Sequence, residues 1–262
     1  MTSVEGMPFV KSNPSAPAQF FEWEAAGLRW LGEAERAGGA RCVEVRTVEP
    51  GRIELEEIRP ARPTRDAARR FGSALACTHD TGAAAFGAAP AGWSGFAYIG
   101  RRSMPCAPEE SWGRFYAEQR VRPFLRPAVE AGNLTSADAR TVESALELVA
   151  AGAFDDDDTP ARLHGDLWNG NVLWSDEGAV LIDPAAHGGH RETDLAMLAL
   201  FGLPHLDDVL AGYEEIHALR VGAATRVPLH QLHPLAVHAA GHGPSYGRAL
   251  AEAAARVLAL VR

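Results

Sequence analysis

The stretch Arg162-Leu163-His164-Gly165-Asp166-Leu167-Trp168-Asn169-Gly170-Asn171-Val172-Leu173-Trp174, continued by Ser175-Asp176-Glu177-Gly178 and Ala179-Val180-Leu181-Ile182-Asp183, decides the fold. Apolar residues flanking the Ser175–Gly178 turn predict a β-hairpin that leaves a polar loop and returns to Asp183. Such a hairpin brings the amide oxygen of Asn171 beside the Asp183 carboxylate, two hard oxygen ligands suited to one Mg²⁺. Asp166 stays off the metal, where it can accept a proton from a substrate hydroxyl. A base, a metal-holding Asn and a metal-holding Asp are the parts that phosphorylation of a hydroxyl by ATP requires. Each of these types is also a frequent turn former; the ordered set on one hairpin argues against chance.

In that order, His164-Gly165-Asp166, Asn171 and Asp183 resemble the H-x-D, Asn and D-x-x elements of the kinase-like phosphotransferases, with Gly165 where protein kinases carry Arg and Asp183-Pro184-Ala185 where they carry D-F-G. The longer strings HGDLWNGN and HRETDLAM are narrower. They are similar to those of the fructosamine (ketosamine) kinase family, whose members use ATP to phosphorylate sugars attached to amines. The resemblance implies an α+β, two-lobed protein-kinase-like fold. A small β-rich nucleotide-binding lobe is expected over 1–60 and a larger, mainly helical catalytic and substrate lobe over 61–262. The prolines of Arg59-Pro60-Ala61-Arg62-Pro63-Thr64 stop both strand and helix and mark the boundary.

Residue roles follow from the same resemblance. Lys11, at the end of a strand Met7–Lys11 with Gly6 as the preceding turn, corresponds to the lysine aimed at the ATP phosphates. Glu24, in Phe21-Glu22-Trp23-Glu24-Ala25-Ala26-Gly27-Leu28, would brace it, with Glu22 as a competitor. The Glu56 carbonyl and Ile58 N–H match the family's hinge and would meet adenine, with Leu55 behind. His164 and Asp194 would support the loop backbone, whereas Trp168, Arg191, Glu192 and His238 would face the substrate. One departure stands at the N-terminus: ten residues before Lys11 are too few, at about 3.3 Å each, for the family's phosphate-covering hairpin. A late start or a truncated lobe, and slow turnover, are expected.

Away from the hairpin, apolar Phe21, Ala25, Leu28 and Leu31 recur at helical steps and predict a helix from Phe20 to Ala37, stopped by Gly38-Gly39. Two strands are expected between Val43 and Ile58 around Glu49-Pro50-Gly51-Arg52. Further helices are predicted at Asp66–Asp80, Glu110–Ala131, Ala137–Ala151, His205–Leu219, Leu229–Ala240 and a last one ending at Val261. Thr81–Pro108 reads as a linker by composition, yet GWSGFAYIG resembles a family segment near the substrate pocket, so an ordered loop is expected. The acids Asp155–Asp158 read as a solvated connector. The late histidines show no H-E-x-x-H spacing and read as scattered surface or core residues.

The formal net charge of −9 argues against a nucleic-acid or anionic-membrane partner. Three cysteines in no C-x-x-C arrangement suggest reduced thiols. With no basic leader and no apolar stretch of about 20 residues, a cytoplasmic protein is expected. The family resemblance implies a ketosamine or glycated amine as partner, ATP and Mg²⁺ as cofactors, and a 3-phosphate product that sheds its sugar and so reverses glycation. A related aminoglycoside, choline or sugar kinase is one alternative; a non-catalytic, kinase-shaped binding module is the other. Oligomeric state is left open.

Overall fold

The computed structural model describes residues 7–261; Gly6 lies outside them. Strands β1 (Phe9–Ser12), β2 (Val45–Glu49) and β3 (Arg52–Leu55) form an antiparallel sheet in the order β1-β3-β2, with Lys11 opposite Ile53. The second expected strand therefore ends at Leu55, three residues early, and the chain runs on as an extended hinge. Under the sheet lies α1 (Phe20–Gly32), whose Phe21, Ala25, Leu28 and Leu31 are all buried. Its expected last turn tightens into a 3₁₀ helix at Glu33–Ala37, a common way to satisfy terminal amides.

Helix α2 (Arg65–Asp80) starts where Thr64 Oγ1 accepts the Ala67 N–H at 3.2 Å. The next stretch is irregular, with a small hairpin of β4 (Tyr98–Ile99) and β5 (Arg102–Ser103) pinned by Trp23 Nε1 donating to the Tyr98 carbonyl at 2.8 Å. Where one helix was expected from Glu110, α3 (Trp112–Phe115) opens at the Ser111 cap, widens into a π-helical segment at Tyr116–Val121 and resumes as α4 (Arg122–Glu130). Pro123 has no N–H to donate, and the wide turn ends just before it. Helix α5 (Ser136–Ala150) opens with Thr135 accepting the Asp138 N–H at 3.1 Å.

Strand β6 (Ala161–Leu163) pairs with β9 (His187–Gly189), and between them β7 (Val172–Ser175) and β8 (Gly178–Leu181) make the expected hairpin. Helices α6 (Glu192–Leu200), α7 (Leu206–Ile216), α8 (Ala223–His230), α9 (Leu232–Ala239) and α10 (Pro244–Ala259) follow. The helix expected over Leu229–Ala240 is thus two, breaking at Gln231. Helices α2 and α7 pack closely because both carry glycine at the contact. A Cβ on Gly72 would lie 1.8 Å from the Val209 carbonyl oxygen, and one on Gly212 1.9 Å from that of Arg69.

Two apolar cores result. One joins α1, the three-stranded sheet, α2, the β7–β8 hairpin and α7; the other joins α3 to α5 with α9 and α10. Leu167 of the polar loop between β6 and β7 belongs to the first, and Ala185, whose N–H donates to the His164 carbonyl at 3.0 Å, to the second, so the loop lies where the two cores meet. Among the described residues, no helix is long and apolar enough to cross a membrane.

Candidate active site

Strand β6 delivers the loop His164-Gly165-Asp166, and its backbone is held from below. Asp194, in the first turn of α6, accepts the N–H of His164 at 2.8 Å and of Gly165 at 3.0 Å. His79 lies 3.3 Å from the same carboxylate and 2.7 Å from the Tyr213 hydroxyl. Burial opposes the charge of Asp194, but His79, His164 and the Gly165 N–H outweigh it and keep the group below the ordinary carboxylate range. Gly165 has φ +80°, and a Cβ there would stand 2.2 Å from the Ala185 carbonyl oxygen. Arginine, usual here in protein kinases, has no room. Burial lowers the His164 pKa. The neutral ring accepts the Asp166 N–H at Nδ1 (3.3 Å) and donates from Nε2 to the Ile182 carbonyl (2.9 Å).

The hairpin returns the chain beside this loop. Asn171 Nδ2 donates to the Asp166 carbonyl (2.7 Å), the Asp166 carboxylate (3.3 Å) and the Asp183 carbonyl (3.4 Å). These bonds all leave Oδ1 uncommitted. Asp183 sits at φ +54°, a left-handed conformation that aspartate tolerates better than most residues, and its side chain is 42% exposed. Lys11 pairs with it and with Glu24, the latter at 2.8 Å. Burial disfavours the Lys11 charge, but the two carboxylates outweigh it and hold the ammonium above its ordinary range. An uncommitted amide oxygen and an exposed carboxylate, on residues that meet through the Asn171 Nδ2 to Asp183 carbonyl contact, are oxygen donors of the kind a divalent magnesium ion takes. Burial, with the charges of Asp183 and Asp194 adding to it against the Asn171 hydrogen bond, pushes the Asp166 carboxyl up to about 7.

Asp166 opens on a cleft of about 640 Å³ shared with Trp168 and His238. Trp168 lies over Gly170 and meets Phe201 edge-on at 6.0 Å. His238 donates from Nδ1 to the Pro234 carbonyl at 2.7 Å and packs between Phe201, His242 and Tyr246 at 4.8–5.0 Å. At the hinge, the Glu56 side chain pairs with Arg41 at 2.6 Å and its N–H bonds the Glu44 carbonyl. Among the described residues, the Glu56 carbonyl and Ile58 N–H take no backbone partner. Leu55 is buried behind them.

Arg191 and Glu192, expected at the substrate, are elsewhere. Arg191 is 4% exposed and forks onto Asp158 at 2.7 and 3.1 Å while reaching Asp80. Glu192 is buried between Arg226 and His230. Both serve α6's packing. The acids Asp155–Asp158 are also more than a solvated connector. Asp155 accepts from Ser111 Oγ and the Gly113 N–H, both at 2.7 Å, and Asp156 meets His190, whereas the Asp157 side chain is 91% exposed. Of the late histidines, His187, His190, His230 and His233 are core residues, and the rings of His190 and His230 meet tilted at 4.7 Å beside Trp112. With Glu192, His190 and His230 form, among the described residues, the one cluster of three His, Cys, Asp or Glu side chains close enough to share a metal ion. Arg226, Thr193 and Asp156 already bond these side chains. Single-residue composition gave no sign of these pairings, nor of His79, because every partner is distant in sequence.

A protein from Enterococcus faecium described as a candidate ketoamine kinase is 31% identical over 240 residues, 91% of this chain and 83% of that one. Another from Synechocystis, described likewise, is 33% identical over 235 residues, 88% of this chain and 76% of that one. A crystal structure from Thermobifida fusca, described as a candidate fructosamine-3-kinase, shares 47% identity and a TM-score of 0.88, covering 96% of this chain and 85% of that one. A gentamicin-bound aminoglycoside phosphotransferase, 14% identical with a TM-score of 0.57 over 95% of this chain and 84% of its own, shares the fold alone. The fold is the two-lobed, kinase-like α+β fold. The family model for fructosamine kinase matches residues 1–260, and the chain belongs to the fructosamine kinase family.

Proposed function

We propose that this phosphotransferase moves the γ-phosphoryl group of ATP onto a hydroxyl of a ketosamine, a sugar joined through its keto form to an amine. The observation that carries the reading is Asp166: a carboxyl pushed up to about 7, on the floor of an open cleft, hydrogen-bonded to Asn171. A general base works best when its pKa lies near the operating pH. Asp166 accepts the proton of the acceptor hydroxyl and turns the oxygen towards the phosphoryl group. Asn171 and Asp183 would hold Mg²⁺, which when bound neutralises charge on the phosphates. Lys11, braced by Glu24, faces the same phosphates, and the free Glu56 carbonyl and Ile58 N–H offer adenine an acceptor and a donor. Residues 1–60 then act as the nucleotide lobe. Trp168 and His238 border the sugar. Phosphorylation at the 3-hydroxyl would give a product that sheds its sugar, a deglycation.

The test is ATP-dependent phosphorylation of a fructosyl-lysine derivative with Mg²⁺, comparing the protein with Asp166→Asn. Turnover that falls by roughly 10²–10⁴-fold in the variant is expected; equal turnover in both excludes Asp166 as base, and none in either excludes this substrate class.

A further inference from the structure

The cleft that holds Asp166 is bordered opposite the aromatic wall by the β4–β5 hairpin, whose tip is Gly100-Arg101 and whose second strand starts at Arg102. Gly100 takes φ +52°, the backbone a two-residue hairpin demands at its first position. Arg102 rests its guanidinium on the end of α9, where it donates to the Ala240 carbonyl, and Gly241 leaves it room: a Cβ there would lie 2.9 Å from Nη2. Arg101 is exposed at the rim. The chain carries 34 acidic side chains against 25 basic ones. Even so, among the described residues neither arginine has a carboxylate within ion-pair distance, whereas Arg41, Arg122, Arg191 and Arg226 all do. Among the described residues, Asp166 is the one carboxylate lining the cavity, and its charged neighbours are Asp183 and Asp194 rather than these arginines.

Two guanidinium groups facing a concave cavity, without internal counter-ions and away from the base, form a receptor for an oxyanion. Building on the ketosamine-kinase reading, we propose that Arg101 and Arg102 select ketosamines bearing an anionic group several bonds from the hydroxyl that Asp166 addresses. One end of the substrate meets Asp166, its sugar lies along Trp168 and His238, and its anion reaches the hairpin. A carboxylate on the amine, as in a glycated free amino acid, or a phosphate on the sugar would each provide that anion. The same device disfavours a glycated lysine within a protein, which offers no such anion nearby.

Three substrates test this with Mg²⁺ and ATP: fructosyl-glycine, its neutral amide fructosyl-glycinamide, and the 6-phosphate of that amide. Initial rates are measured for the unaltered protein, Arg101→Gln and Arg101→Glu; Arg101 is exposed, so both variants are expected to fold. At least one anionic substrate should exceed the amide in kcat/KM by about ten- to hundredfold, the range of one charge-assisted hydrogen bond, and which one identifies the source of the anion. That ratio should shrink towards one in Arg101→Gln, shrink further in Arg101→Glu, and decline with added salt. Equal kcat/KM for all three, a ratio untouched by both substitutions, or a change confined to the KM for ATP overturns the assignment while leaving the kinase reading intact. No phosphorylation of any of the three defeats that reading, and this one with it.

Discussion

At Asp166, catalysis and stability run in opposite directions with pH. The base must be ionised to accept a proton, so kcat/KM should climb as pH rises through about 7; a profile already flat from pH 5 upward would contradict this. For stability the sign is reversed. The folded state raises this carboxyl above its ordinary value, so the contribution is fully present below about pH 4 and is lost as pH rises through about 7. Asp166→Asn, neutral throughout, should therefore gain on the native protein between those limits, as read by urea unfolding at pH 5 and pH 8. Asp194→Ala should do the reverse of stabilising. It strips the partner from the buried amides of His164 and Gly165, at about 1–3 kcal/mol each, and thermal unfolding would show the loss. The polar loop was the most legible part of the sequence because its groups lie within a few residues of one another. Arg191 misled for the opposite reason. Its partners Asp80 and Asp158 stand far back in the chain, and a charged residue beside a motif gives no sign of which way it turns.

At the scale of elements, β1 and α1 are tied by one ion pair, Lys11 with Glu24. Removing one partner of a fully buried pair costs about 3–5 kcal/mol; this one is partly exposed, so Glu24→Gln should cost about 1–2 kcal/mol and weaken nucleotide binding about tenfold. Titration with a fluorescent ATP analogue checks it, and unchanged affinity would remove Glu24 from the phosphate site. Helix positions were readable from apolar spacing and caps, as at Thr64 and Thr135. How closely α2 and α7 approach was not, because a glycine within a helix signals nothing until its neighbour is known. Gly72→Ala must push α2 away from the Val209 carbonyl and should lower stability by at least about 1–3 kcal/mol, visible as a drop in Tm. The Gly- and Ala-rich run before α3, a linker by composition alone, is the ordered loop that the family segment implied, pinned to α1 through Tyr98 and Trp23.

For the whole molecule, the seam between the two cores is where ligands should be felt. Mg-ATP at one hundred times its Kd should stabilise the fold by about 2.7 kcal/mol, a rise in Tm of roughly 5–10 °C for a chain of this size. Chelating the metal or substituting Asp183→Ala should remove most of that rise; an undiminished shift would mean nucleotide binds without the Asn171–Asp183 pair. The kinase-like architecture was legible from one hairpin because the family's chemistry is concentrated there, whereas the second core depends on side chains drawn from the whole helical half. The placement of Trp168 has an optical consequence. Of six tryptophans it is the most exposed, at 39%, and it stands in the cleft. A soluble quencher such as acrylamide should extinguish its emission before that of the others, and a molecule filling the cleft should shield it. Occupancy of the substrate site can thus be followed by intrinsic fluorescence, without a label and without turnover.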